Sequence, residues 1–178
     1  MLLVKLTNQT KGVLPKQHSF CQLVTLFHTK HIVYRDTIKE GVTMAHDRFT
    51  QLILESYFAE MQAHHHYMTM AQMAPTEEAR HIMMMNAQDE HRHAEAFEKI
   101  YEELTGTEPR DTGMHMMPVN ENMTFLDHVR MQLFDEYADF RKYKDMYLMT
   151  DNPEYRDTLF NAMHDEFRHA MLLTYLLN

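Results

Sequence analysis

The chain has 178 residues, 44% of them hydrophobic, a formal net charge of −9 and a single cysteine, Cys21. That length supplies one domain, or one domain plus a tail, with a sizeable core. The acidity opposes nucleic acid or an anionic membrane as the main partner. One thiol excludes an internal disulfide, a four-cysteine zinc site and a four-cysteine iron centre, and suits a reducing, cytoplasmic setting.

Residues 1–44 differ in character from the rest. They hold six of the 17 Lys and Arg but only Asp36 and Glu40 as acids, a net of +4 against −13 for residues 45–178. Periodicity is poor there. The segment is expected as an N-terminal extension, weakly ordered or packed as an appendage, or as sequence upstream of a start at Met44. Its histidines, His18, His28 and His31, are poor ligand candidates for that reason. It lacks the long apolar core and small-residue cleavage site of a secretory signal. The apolar runs Phe20 to Phe27 and Leu172 to Leu177 are too short to span a bilayer.

Four helices are expected after it, because four glycines and five prolines leave few turn signals. The first runs from about Asp47 to Ala74 and is stopped by Pro75. Thr76 is a suitable N-cap for the second, with Glu77 and Glu78 at its positive end. That helix ends near Thr105, before Gly106. The third opens on the box-like Thr124-Phe125-Leu126-Asp127 and reaches about Met149. Asn152 as N-cap and Pro153 at the first helical position start the fourth, which continues nearly to Asn178. Short connections make each consecutive pair an antiparallel hairpin. Between the second and third helices lie the 18 residues Gly106 to Met123. Extended, they reach about 60 Å, enough to cross a helix of about 45 Å.

Two stretches repeat one another. Asp89-Glu90-His91-Arg92-His93-Ala94 and Asp165-Glu166-Phe167-Arg168-His169-Ala170 both read D-E-x-R-H-A, 76 positions apart (165 − 89 = 76). The same offset carries Glu60 onto Glu136, Tyr67 onto Tyr143 and Phe58 onto Phe134. On a helix turning roughly 100° per residue, Glu90 and His93 share a face one turn apart, as do Glu166 and His169. With Glu60 and Glu136 the set is four carboxylates and two imidazoles, the donors of di-iron and di-manganese carboxylate bundles. Oxygen donors with some imidazole and no thiolate suit iron(II) and manganese. Two divalent ions also neutralise four glutamates that would be costly to bury alone. A single D-E-x-R-H would read as a solvated helix face laced with charge pairs. Two copies, each 30 residues after a matching Glu, argue against that.

Tyr67 and Tyr143 lie two turns past Glu60 and Glu136 on the same face. They are either hydrogen-bond donors to ligating carboxylates or core aromatics. In His64-His65-His66, consecutive side chains splay apart, so they cannot chelate one ion together, and only His64 falls on the ligand face. Met83-Met84-Met85 and the methionines from Met114 to Met117 read as packing rather than a copper site.

These motifs resemble the rubrerythrin branch of the ferritin-like superfamily. The similarity covers about residues 45–178 and rests on Glu60…Tyr67, Asp89-Glu90-x-x-His93, Glu136…Tyr143 and Asp165-Glu166-x-x-His169. Tyr101-Glu102-Glu103-Leu104-Thr105-Gly106, followed by Pro109, also looks like the close of the second helix in short bacterial members. The resemblance implies an all-α, ferritin-like four-helix bundle: two antiparallel hairpins joined by a long crossover. It implies Glu60, Glu90, His93, Glu136, Glu166 and His169 as ligands to two metal ions, with Glu90 and Glu166 bridging. Iron is expected, with manganese the alternative. Asp89 and Asp165 are expected to accept the outer N–H of the histidine across the axis.

The sequence departs from the family pattern twice. It has no cysteine-rich rubredoxin centre, so redox turnover needs an external electron-donor protein. Where rubrerythrins place a further Glu one turn past the third-helix ligand, this chain has Asp139, one methylene shorter and a candidate seventh ligand. The expected activity is reduction of peroxide or dioxygen, or oxidation of iron(II), by a homo-oligomer, a dimer. The rivals are a manganese catalase-like enzyme and a metal-binding or stress-associated bundle without turnover.

Overall fold

The computed structural model describes residues 20–110, 119–120 and 122–178, with side chains from residue 46 onward. The chain divides into two compact units, Met1–Val42 and Thr43–Asn178. Among the described residues the elements are α1 (Phe20–Met73), α2 (Glu77–Thr105), α3 (Phe125–Tyr147) and α4 (Pro153–Leu176), with no strand.

The helix boundaries follow the local chemistry. The Thr76 hydroxyl accepts from the Ala79 N–H at 3.1 Å, an N-cap. Gly106 ends α2 at φ 72°, a left-handed conformation that costs glycine little. Thr124 and Asp127 close a reciprocal capping box on α3. Asn152 caps α4 just ahead of Pro153. At the other end of the chain, helix begins at Phe20, well before the expected start near Asp47. From Phe20 to Met73 there is no proline and only Gly41 to weaken the backbone ladder. The scattered β-branched residues cost helix propensity only tenths of a kcal/mol each. The packing expected of residues 1–44, with His18, His28 and His31, lies outside the described residues, and so do the methionines from Met114 to Met117.

Side-chain contacts give the helix directions. His66 late in α1 meets His128 early in α3, and Ser56 meets Met146, so α1 and α3 are antiparallel. Tyr175 near the end of α4 bonds Glu78 at the start of α2, so those two are antiparallel as well. The Phe97 and Tyr143 rings, both late in their helices, lie 5.1 Å apart, which makes α2 and α3 parallel. The end of α2 and the start of α3 therefore lie at opposite ends of the bundle.

The core is split. One apolar cluster gathers Tyr67, Met70, Met83, Phe125, Val129 and Leu173. The other gathers Phe49, Ile53, Phe97, Tyr143, Met146 and Leu159. Burying each of these larger side chains contributes about 1.5–3 kcal/mol, which offsets the cost of the polar layer held between the clusters.

Candidate metal centre

Glu60 from α1, Glu90 and His93 from α2, Glu136 from α3, and Glu166 and His169 from α4 converge in that layer, all buried. Two groups of donor atoms form, each within 4.8 Å: Glu60, Glu90, His93 and Glu166, and Glu90, Glu136, Glu166 and His169. Glu90 and Glu166 belong to both. The i,i+3 spacing turns both residues of each Glu-x-x-His inward, and the pseudo-two-fold relation of the repeats sets the groups side by side.

The outer nitrogen of each imidazole is held across the axis. His93 Nε2 lies 3.2 Å from Asp165 Oδ2, and His169 Nε2 lies 3.1 Å from Asp89 Oδ2. Because an ionised carboxylate only accepts, each Nε2 donates, and in a neutral imidazole Nδ1 is left with a lone pair. His169 Nδ1 faces Glu90 Oε1 at 3.1 Å, Glu136 Oε2 at 3.2 Å and Glu166 Oε2 at 3.3 Å. His93 Nδ1 faces Glu90 and Glu166 at 3.2 Å and Glu60 at 3.8 Å. One proton on Nδ1 cannot serve three carboxylates. Glu90 Oε1 and Glu166 Oε1 are buried without a hydrogen-bond partner despite these approaches. A cation beside each Nδ1 would satisfy both the nitrogen and the orphaned oxygens, so the donor set fits a pair of metal ions.

Without a cation, protons take up the balance. Burial pushes the Glu60 carboxyl well above its ordinary range, helped by the charges of Glu166 and Glu90. Burial does the same to Glu136, with Glu90 adding to it. Burial works against ionised Glu166 too, but hydrogen bonds from His169 and His93 hold it low. Both imidazoles are raised: burial opposes their charge, and Asp165 on His93 and Asp89 on His169 outweigh it.

The tyrosines combine both expected roles. Each is fully buried in one apolar cluster, while the Tyr67 hydroxyl donates to Glu136 and the Tyr143 hydroxyl to Glu60. Beyond the imidazoles, Asp89 accepts from Arg92 and Arg168 as well as from His169. Burial tends to raise its pKa, but these partners hold it below the usual carboxylate range. Asp165 is held low, first by His93, and also lies 3.1 Å from Arg168.

Two candidates stand apart from the cluster. His64 Nδ1 lies 2.7 Å from the Ala87 carbonyl oxygen, and its ring meets His91. Asp139 pairs with Lys142 and belongs to neither donor group. It lines a cavity of about 600 Å³ that reaches Glu60, Glu90, Glu136 and Glu166 between α1 and α3. Burial pushes the Asp139 carboxyl up, although Lys142 opposes the shift.

Sequence reasoning missed a buried histidine pair at the same cavity. His128 Nε2 donates to the Asn120 carbonyl at 3.1 Å, so His66 Nε2 donates to His128 Nδ1 at 2.9 Å. Burial, with repulsion between neighbouring imidazoles adding to it, lowers His66 to about 4. The 62-residue separation of the partners leaves no local motif to read.

A four-helix bundle that directs a Glu from two helices and a Glu-x-x-His from the other two into its core is of the ferritin-like carboxylate class. Within that class the chain belongs to the rubrerythrin family, whose model matches residues 51–177. Among solved structures it is similar to a hypothetical protein from Pyrococcus furiosus: 19% identity, TM-score 0.66, covering 72% of this chain and 87% of that one. That likeness speaks for the fold alone. No curated protein matches the chain, and no helix among the described residues is long and apolar enough to cross a membrane.

Proposed function

We propose that the protein is a di-iron carboxylate protein that reduces peroxide or dioxygen with electrons from an external donor protein in a reducing, cytoplasmic setting. The observation that carries this reading is the pair of Nδ1 atoms, each facing three carboxylates, beside the partnerless oxygens of Glu90 and Glu166. Glu90 and Glu166, common to both donor groups, would help hold both ions. Glu60 with His93, and Glu136 with His169, would each complete one ion's protein donors. The bound pair supplies Lewis acidity and a source of electrons.

The chain's own groups set the conditions. Asp89 and Asp165 hold the Nε2 protons, which keeps both Nδ1 atoms aimed inward. The Tyr67 and Tyr143 hydroxyls restrain the terminal glutamates while leaving a second oxygen on each to move. The cavity between α1 and α3 gives a small oxidant a way to the four glutamates. At its wall stands Asp139, whose carboxyl burial pushes up while Lys142 opposes the shift, a group placed to exchange protons with a reactant in the cavity.

The test is metal analysis of the full chain purified without chelators, an optical spectrum after oxidation, and donor-dependent peroxide consumption. About two irons per chain, an oxo-to-iron band in the near ultraviolet and steady turnover are expected. Two manganese ions and donor-free peroxide breakdown would replace this reading with a catalase-like one. Iron(II) oxidation without peroxide turnover would make it a ferroxidase. Metal without any oxidant reactivity would leave a non-catalytic metal-binding protein.

A further inference from the structure

Among the described residues, the cavity between α1 and α3 carries one imidazole on its wall, that of His66. Ala59, Ala63 and His66 line it together, and their i, i+4 and i+7 spacing makes them one face of α1. The next residue, Tyr67, reaches Glu136 with its hydroxyl. That contact brings this turn of α1 within about one side-chain length of the glutamates.

The proton of His66 is fixed from behind. His128 Nε2 lies 3.1 Å from the Asn120 carbonyl oxygen, which can only accept, so His128 Nδ1 carries a lone pair. His66 Nε2 lies 2.9 Å from that atom and donates to it. In the neutral ring, His66 Nδ1 is then the acceptor. It takes no hydrogen bond among the described residues, yet it is not one of the partnerless atoms sealed from water. Burial and the neighbouring imidazoles keep the ring neutral, with its pKa lowered to about 4. A histidine present for packing alone would have both nitrogens satisfied. Here one is tied down and the other is left free on a cavity wall.

We propose that His66 Nδ1 is the base that receives the O–H of hydrogen peroxide in this cavity, making His66 a catalytic residue for peroxide rather than for dioxygen. This rests on the oxidant-reducing function proposed above. Dioxygen has no O–H, so a lone pair held in place offers it nothing. Peroxide has one at each end. The proton that Nδ1 takes from one peroxide oxygen passes to the other as the O–O bond breaks, so that oxygen leaves as water instead of hydroxide. A ring that protonates reluctantly gives the proton up readily. The external donor supplies two electrons and solvent two protons, and hydrogen peroxide becomes two waters. His66 returns to its neutral form, its Nε2 proton still held by His128.

The test uses the iron-loaded full chain, reduced in advance and mixed with hydrogen peroxide or with dioxygen in a single turnover. In His66→Gln the amide can still donate to His128, but the base is gone. The rate with peroxide relative to that with dioxygen is expected to fall about 100-fold, with iron content and far-ultraviolet circular dichroism unchanged. Imidazole nitrogen NMR of the metal-free wild type reads the tautomer independently of activity. At neutral pH it should show the His66 proton on Nε2, a preference that His128→Leu should weaken. If wild type reacts with peroxide and the ratio is unchanged in His66→Gln, including by equal loss with both oxidants, this role is overturned and the function reading stands. A proton on Nδ1 of wild-type His66 overturns the role too, and needs no variant to fold. A wild type that reacts with dioxygen alone does the same, whereas one that reacts with neither oxidant overturns the function reading along with it.

Discussion

The polar layer has two opposite flanks, and they are built to different ends. Between α2 and α4 the cluster is closed by an ionic lattice: Asp89 holds His169, Arg92 and Arg168, and Asp165 holds His93 and Arg168. Between α1 and α3 the described residues form no such lattice. Ala59, Ala63 and Ala138 leave a cavity that reaches the glutamates. One flank fixes imidazole orientation, and the other leaves open space against the glutamates. The difference teaches that a duplicated hairpin can keep its donors symmetric while its walls diverge.

The largest effect should come from the layer itself. Glu90→Ala removes a donor that both groups share, so metal content should fall from about two ions per chain to one or none, with turnover lost. The metal-free variant should melt higher than metal-free wild type, by a few degrees at most, because one buried carboxylate is gone. Retention of both ions in Glu90→Ala would break the assignment of Glu90 to both ions.

On the closed flank, Asp89→Asn keeps the shape but weakens the acceptor for His169 and removes the charge facing Arg92 and Arg168. Metal affinity should fall about 10–100-fold, read by competition with a chelator. On the open flank, Ala63→Phe should leave metal affinity alone and slow peroxide consumption roughly three- to tenfold. If Ala63→Phe loosened metal as much as Asp89→Asn does, the two flanks would not have separate roles.

The smallest effect is on stability, through the His66–His128 pair on the open flank. His66 titrates at about 4 in the folded chain, below its ordinary 6.5, so the native state binds fewer protons than the unfolded state between those values. Its contribution is fully present above about pH 6.5 and declines as pH falls towards 4, by on the order of 2 kcal/mol. His66→Gln should flatten that part of the denaturation curve relative to wild type. The difference between the two curves isolates His66 from the metal-binding groups, which titrate in both proteins.

Sequence periodicity and capping chemistry are local, and they located most of the fold. Thr76, Gly106, Thr124 with Asp127, and Asn152 with Pro153 each act on their own turn, so their helix ends were legible. The early start of α1 was not, because poor amphipathic patterning does not itself stop a helix. The six central donors were legible because Glu-x-x-His occurs twice at one offset. His64 illustrates the limit: four residues past Glu60, it lies in neither donor group, and its Nδ1 meets the Ala87 carbonyl oxygen. Phe58 and Phe134 illustrate another, being repeat partners of which one is partly buried and the other exposed on the hairpin.

By itself, then, the sequence determined which residues share a helix face, where helices end, and that acids and imidazoles recur as a set, since each depends on neighbours within a few turns. Tertiary structure alone decided that His66 meets His128, that Asp139 faces a cavity beside Lys142, and that one flank is closed and the other open. Those outcomes depend on which helices become neighbours and what space their side chains leave. Distant parts of the chain fix that jointly, through packing.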